Sequence, residues 1–143
     1  MHVERTFTVS RPIDDVFAFL SNFENTEKWD PGTKRTKRTS GDGGLGTTYA
    51  NTSKFMGREV ELSYETIGYD TPTFFSCRGR NKTATATDTM TFTRDGDRTQ
   101  IHYRADFEFH GLVKLFAPLV VKPKLDSLAD ETIEQIQTTL EAR

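Results

Sequence analysis

Two stretches of this chain alternate with a period of two, and the C-terminal segment after them does not. Residues 98 to 109, RTQIHYRADFEF, place Ile101, Tyr103, Ala105, Phe107 and Phe109 on one side of an extended backbone and His102, Arg104, Asp106 and Glu108 on the other. Residues 84 to 93, ATATDTMTFT, do the same with Ala84, Ala86, Met90 and Phe92 against threonines. Strict alternation is the mark of strands with one wet and one apolar face. After Gly111 the apolar spacing changes to that of a helix: Leu112, Leu115, Phe116, Leu119 and Val120, then Leu125, Leu128, Thr132, Ile136 and Leu140. A one-faced antiparallel sheet followed by a long one-faced helix must bury the two faces against each other, which makes the chain α+β.

The rest of the sequence fills in that frame. His2 to Val9 alternates and stops at Ser10-Arg11-Pro12. Ser10 is the expected N-cap of a helix, with Pro12 in its first turn and Asp14 and Asp15 near its positive end. Ile13, Val16, Phe17 and Leu20 have helical spacing, and a second short helix begins at Asn22 and ends at Trp29-Asp30-Pro31, because the residue before proline leaves the α region. From Thr33 to His110, turns are expected at Gly41 to Gly46, Met56-Gly57, Asp70 to Pro72, near Gly79, and at Asp95-Gly96-Asp97. Val60, Leu62 and Tyr64 share one face, as do Phe75 and Cys77, with Arg78 and Arg80 opposite. Pro118 and Pro123 require the last helix to start late or bend, which would leave Leu112 to Phe116 as a lip.

Composition excludes several classes of function. At 143 residues the chain is read as one domain, 1–143; its net charge of −2 gives no electrostatic reason to expect nucleic acid. No run approaches the roughly 18 apolar residues of a membrane span. The N-terminus lacks a secretion signal, so a cytoplasmic protein is expected and the two N-x-[ST] matches at Asn51 and Asn81 are chance. A single cysteine, Cys77, excludes an internal disulfide and a Cys-rich zinc site. Neither metal nor other cofactor is expected.

Three motifs reduce to structure. Gly41-Asp42-Gly43-Gly44-Leu45-Gly46 matches G-x-G-x-x-G, but a strand-like TTYANTSKF comes next where dinucleotide binding needs a helix. Lys34, Arg35, Lys37 and Arg38 suit a protected edge strand, with no aromatics interleaved to stack bases. Cys77 falls on the apolar face and His102 and His110 on the wet one, so no thiol–histidine pair forms and Cys77 reads as a buried structural thiol.

The order strand, two helices, about six strands and long helix carries a resemblance. The opening TVSRPIDDVFAFLSNFENTEKWDP, the GLGTTY and GREVELSYE strands, the TATDTMTF and RTQIHYRADFEF hairpin and the FAPLV entry to the last helix are similar to the polyketide cyclase/dehydrase and lipid-transport branch of the START-like (Bet v 1-like, SRPBCC) superfamily. The resemblance covers essentially the whole chain. It implies a helix-grip fold, in which a curved sheet of about seven strands wraps the C-terminal helix around an internal cavity, with two short helices between strands 1 and 2.

In such a fold, core and cavity lining overlap. The residues expected to meet a ligand are Tyr49, Asn51, Phe55, Tyr64, Phe75, Cys77, Asp88, Met90, Tyr103, Phe107, Leu112, Phe116 and Val120. Asp88 is the outlier, a carboxylate in phase with Met90 and Phe92. It either reaches solvent or a neighbouring arginine through a bend in the strand, or lines a polar patch of the cavity. The leading expectation is binding of a lipid, isoprenoid or polyketide-like molecule. The alternative is a cyclase, aromatase or dehydrase using Asp88, Tyr64 or Tyr103 for proton transfer; the lack of an inward histidine or second inward carboxylate favours binding. A third is a regulatory protein with a vestigial cavity. Ligand identity and oligomeric state are not encoded legibly.

Overall fold

The structure, a computed structural model, describes residues 1–143, the side chain of Phe116 excepted. Strand β1 (His2–Val9) leads into α1 (Ile13–Ser21), a single 3-10 turn (Phe23–Asn25) and α2 (Thr26–Trp29). Six strands come next: β2 (Thr33–Ser40), β3 (Thr48–Phe55), β4 (Arg58–Asp70), β5 (Phe74–Arg80), β6 (Ala84–Asp95) and β7 (Arg98–Phe109). The chain ends in α3 (Val113–Val120) and α4 (Lys122–Glu141). All seven strands form one antiparallel sheet in the order β1-β7-β6-β5-β4-β3-β2, the helix-grip arrangement. The basic run of β2 lies on an edge strand, where Lys34 pairs with Glu59 at 2.9 Å.

The alternation sets which face is buried. Ile101, Tyr103 and Ala105 of β7 are buried, as are Met90 and Phe92 of β6 and Phe75 and Cys77 of β5. Across one end of this concave face lies α1, whose Phe17 meets Phe92 edge-on at 5.8 Å between ring centres and Tyr69 at 5.3 Å. Phe75 stacks on Phe92 at 6.0 Å. Each such fully buried aromatic contributes roughly 1.5–3 kcal/mol. Phe23 and Trp29, delivered by the turn and α2, cover the sheet beside Tyr49 and Tyr64, with Phe23 4.7 Å from the Tyr64 ring. Helix α4 lies along β1 and α2, and its backbone makes no comparable approach to β4, β5 or β6.

Four local expectations are corrected. Ser10 does not cap α1: the cap position is Pro12, without a side-chain bond, and the Ser10 amide instead donates to Glu141 of α4 at 2.9 Å. Gly79 sits inside β5, not at a turn, because the Tyr64 ring lies over it; a Cβ there would stand 2.6 Å from a ring carbon. The β5–β6 turn is made by Asn81, whose Oδ1 accepts from the Thr83 and Ala84 amides at 2.9 Å each. The C-terminal stripe breaks at Val121, between Pro118 and Pro123 where a bend was expected, but its buried series is Ala117, Val121, Leu125, Ala129, Thr132, Ile136 and Leu140. Leu112, Leu115, Leu119 and Val120 face out, since a helix that buries positions 117 and 121 turns those neighbours away.

Candidate functional site

The register of the central strands lines up side chains in rows across the concave face. One row runs Tyr103, Met90, Phe75 and Tyr69. The next runs Ala105, Asp88, Cys77 and Thr66, and the one beyond it Phe107, Ala86, Gly79, Tyr64 and Tyr49. The first row is bulky. In the next two, four central positions hold Ala105, Cys77, Ala86 and Gly79, the smallest apolar residues available. Small residues stand at the middle of a face that the α4 backbone does not closely approach, with Asp88 at the step between large and small.

Asp88 lies among these residues on the concave face. The Tyr103 hydroxyl donates to its Oδ1 at 2.7 Å, and among the described residues Asp88 joins no ion pair and Oδ2 has no protein partner. The arginine alternative is therefore not the arrangement adopted: Arg104 bonds Asp106 on the wet face, at 2.9 Å. Burial pushes the Asp88 carboxyl up to about 7, against the Tyr103 hydrogen bond and with help from the charges of Asp30 and Asp106. Asp88 nonetheless keeps some accessible surface. Tyr103 and Tyr64 are held well above the ordinary tyrosine range, first by burial and then by the Asp88 charge.

Asp30 corrects the expectation that no second carboxylate points inward. It leaves α2 in an Asx turn, accepting from the Gly32 amide at 3.0 Å and the Thr33 hydroxyl at 2.8 Å. Burial raises its carboxyl, and it stands near enough to add its charge to Asp88, Tyr64 and Tyr103. Its neighbour Trp29 meets the Tyr103 ring edge-on at 6.5 Å. In the sequence, Asp30 signals only a helix stop before proline; that the stop lies over the sheet is a tertiary fact.

The other residues named from the sequence divide into groups. Tyr49, Tyr64 and Tyr103 are buried in the rows on either side of Asp88, and Tyr49 Oη and Trp29 Nε1 are buried with no hydrogen-bond partner among the described residues. Phe75 and Met90 are fully buried, Phe75 within the aromatic cluster under α1. Cys77 is buried beside Thr66, its thiol pushed up to about 12 by burial, which suits a structural thiol. Asn51 is buried but satisfied, donating to Thr36 at 2.8 Å and accepting from Ser53 at 2.7 Å. Phe55 and Phe107 are half-buried at the end of the sheet nearest α3. Leu112 and Val120 project to solvent and do not join these residues, a correction that follows from the rotation of α3; the Phe116 side chain lies outside the described residues.

A family model described as polyketide cyclase/dehydrase and lipid transport matches residues 1–141. The chain belongs to that family. Solved structures with the same fold include TTHA0849 from Thermus thermophilus, at TM-score 0.83 and 12% identity over 99% of this chain and 98% of that one. A START superfamily protein from Mycobacterium smegmatis gives 0.73 and 18%, over 99% and 95%. The Zhui aromatase/cyclase from Streptomyces sp. R1128 gives 0.68 and 17%, over 99% and 89%. At such identities the likeness is one of fold. No curated protein matches the sequence.

Within this family member the chemistry concentrates on the concave side. Two open depressions of about 420 and 400 Å³ lie elsewhere, one lined by Arg78, Arg80 and Glu65 together with Tyr49 and Tyr64, the other by Arg104, Asp106 and Glu108 together with Phe107. Neither includes Asp88 or Tyr103. No three metal-binding side chains come together among the described residues, and no helix among them is long and apolar enough to cross a membrane. A carboxyl raised toward 7 beside a tyrosine hydroxyl is a group able to exchange a proton near neutral pH.

Proposed function

We propose that this protein, acting in the cytoplasm, binds a small, largely apolar molecule, a lipid, isoprenoid or polyketide-like compound bearing a hydroxyl or carbonyl, in the recess between sheet and α4. The observation that carries the reading is Asp88: a carboxyl with no cation, anchored by Tyr103 through one oxygen, with the other free, above a floor of alanine, glycine and cysteine. Leaving a buried polar group unpartnered costs about 1–3 kcal/mol. A ligand oxygen at Asp88, and a partner for Trp29 Nε1 or Tyr49 Oη, would recover part of that cost. An environment-sensitive apolar dye should bind with simple stoichiometry and be displaced by fatty acids or polycyclic aromatics bearing a hydroxyl. Exchanging Ala86 for Leu fills the floor and should abolish dye binding; binding that survives it refutes the recess as the site.

A second reading, a cofactor-free cyclase or dehydrase, is favoured by the presence of a second buried carboxyl, Asp30, near enough for its charge to act on Asp88. Two carboxyls raised by burial allow one to take a proton from the carbon between two ketones while Tyr103 or Tyr64 steadies the forming enolate oxygen. The fold likeness to an aromatase/cyclase supports that reading. Asp88→Asn separates the two: a binder keeps affinity for ligands that accept a hydrogen bond, while an enzyme loses turnover of a poly-β-ketone with binding retained.

A further inference from the structure

Helix α3 presents apolar side chains that nothing in the fold covers. Leu119 is 82% exposed, Leu112 77%, Leu115 63% and Val120 54%. Scattered surface leucines are ordinary, but four within nine residues on a two-turn helix form a patch. The same segment is one-signed in charge: residues 111 to 125 contain Lys114, Lys122 and Lys124 and no acid. Lys122 is engaged with Asp126 at 2.9 Å and the His2 carbonyl at 2.8 Å, while Lys114 and Lys124 are exposed and unpaired among the described residues. The topology sets α3 at the end of the sheet that also carries the β3–β4 tip, with exposed Met56 between Lys54 and Arg58, and the β5–β6 turn with exposed Lys82. The acids near this end are Glu59, held by Lys34, Asp126, held by Lys122, and the solvated Glu61 and Glu108.

We infer that α3 is a docking surface for an anionic lipid bilayer, its leucines entering the headgroup boundary and Lys114 and Lys124 meeting lipid phosphates. Short helices with an apolar face flanked by lysine lie in such interfaces. Self-association fits the patch less well, because residues 111 to 125 carry no acid with which Lys114 or Lys124 of a second copy could pair. This surface does not depend on what the recess holds.

The test is co-sedimentation with phosphatidylcholine vesicles with and without phosphatidylglycerol, beside sedimentation velocity across protein concentration. Binding is expected only with the anionic lipid and should weaken with salt. Leu119→Glu should reduce it by at least about tenfold, and Lys124→Ala by about fivefold. Leu45→Glu, at a 70% exposed position in the β2–β3 loop, should leave it unchanged. No binding to anionic vesicles, or binding equal in wild type and Leu119→Glu, overturns the inference. So does self-association that Leu119→Glu abolishes in a protein that ignores vesicles.

Discussion

At one end of the concave face Phe17, Phe75, Phe92 and Ile101 interlock under α1; a few residues along the same strands, Ala86, Gly79 and Ala105 lie beside Asp88, with Phe107 only half-buried. Strands β5, β6 and β7 contribute to both. Backbone geometry therefore does not distinguish them; side-chain volume does, together with what each row faces. The packed end faces a helix whose phenylalanine reaches the sheet, and the other end carries small residues beside a buried carboxyl.

Truncation at the packed end should show the largest effect. Phe17→Ala should lose about 3–5 kcal/mol in urea unfolding, whereas Phe107→Ala, half-buried at the other end, should lose less than about 1.5. Equal losses would mean that both ends are ordinary core.

Next in size is Asp88→Asn, which should stabilise the protein. Folding raises the Asp88 carboxyl to about 7, so the folded state disfavours its ionised form. The resulting penalty is absent below about pH 4, where the unfolded carboxyl is also protonated, grows up to about pH 7, and is constant above it. At pH 8 the variant should gain about 2–4 kcal/mol over wild type, the gain shrinking away by pH 4. A loss at pH 8 would show that Asp88 is held by a favourable charge partner and that the recess is not a low-dielectric site.

A smaller effect tests the floor. Gly79→Ala should cost about 1–3 kcal/mol, because the new Cβ meets the Tyr64 ring at 2.6 Å and one of the two must move. In a Tyr64→Leu background the same substitution should cost markedly less. Additive losses would mean that the ring does not set the shape of the recess. The smallest effect is expected at Leu112→Ser, where a 77% exposed side chain leaves stability within about 0.5 kcal/mol of wild type.

Much of this is legible in the sequence. Alternation places Asp88 in phase with Met90 and Phe92, and the structure keeps that phase because β6 runs unbroken from Ala84 to Asp95. Asn22 begins the turn as expected, its side chain accepting from the Glu24 amide at 3.3 Å. Gly79 misleads because glycine signals a turn and a close approach equally well, and only the partner strand tells which. Leu112 to Val120 misleads because those leucines have helical spacing among themselves; the face that docks is decided by Ala117 and Val121, which contribute little to an apolar pattern. Asp30 escapes notice because its local role, ending a helix, explains it fully.

The sequence by itself determined the strand phases, the edge position of the basic run, the change from sheet to helix after Gly111 and hence the family's architecture, since period and turn chemistry are local properties that every residue reports. It also determined that a carboxylate had to be accommodated on an apolar face. Only the tertiary structure decided how: which tyrosine reaches Asp88, that a second carboxylate arrives from α2, that the floor beneath is small, and that the leucines of α3 face solvent. Those are distances between residues far apart in the chain, fixed when curvature and helix rotation are settled together by packing, and no single segment carries them.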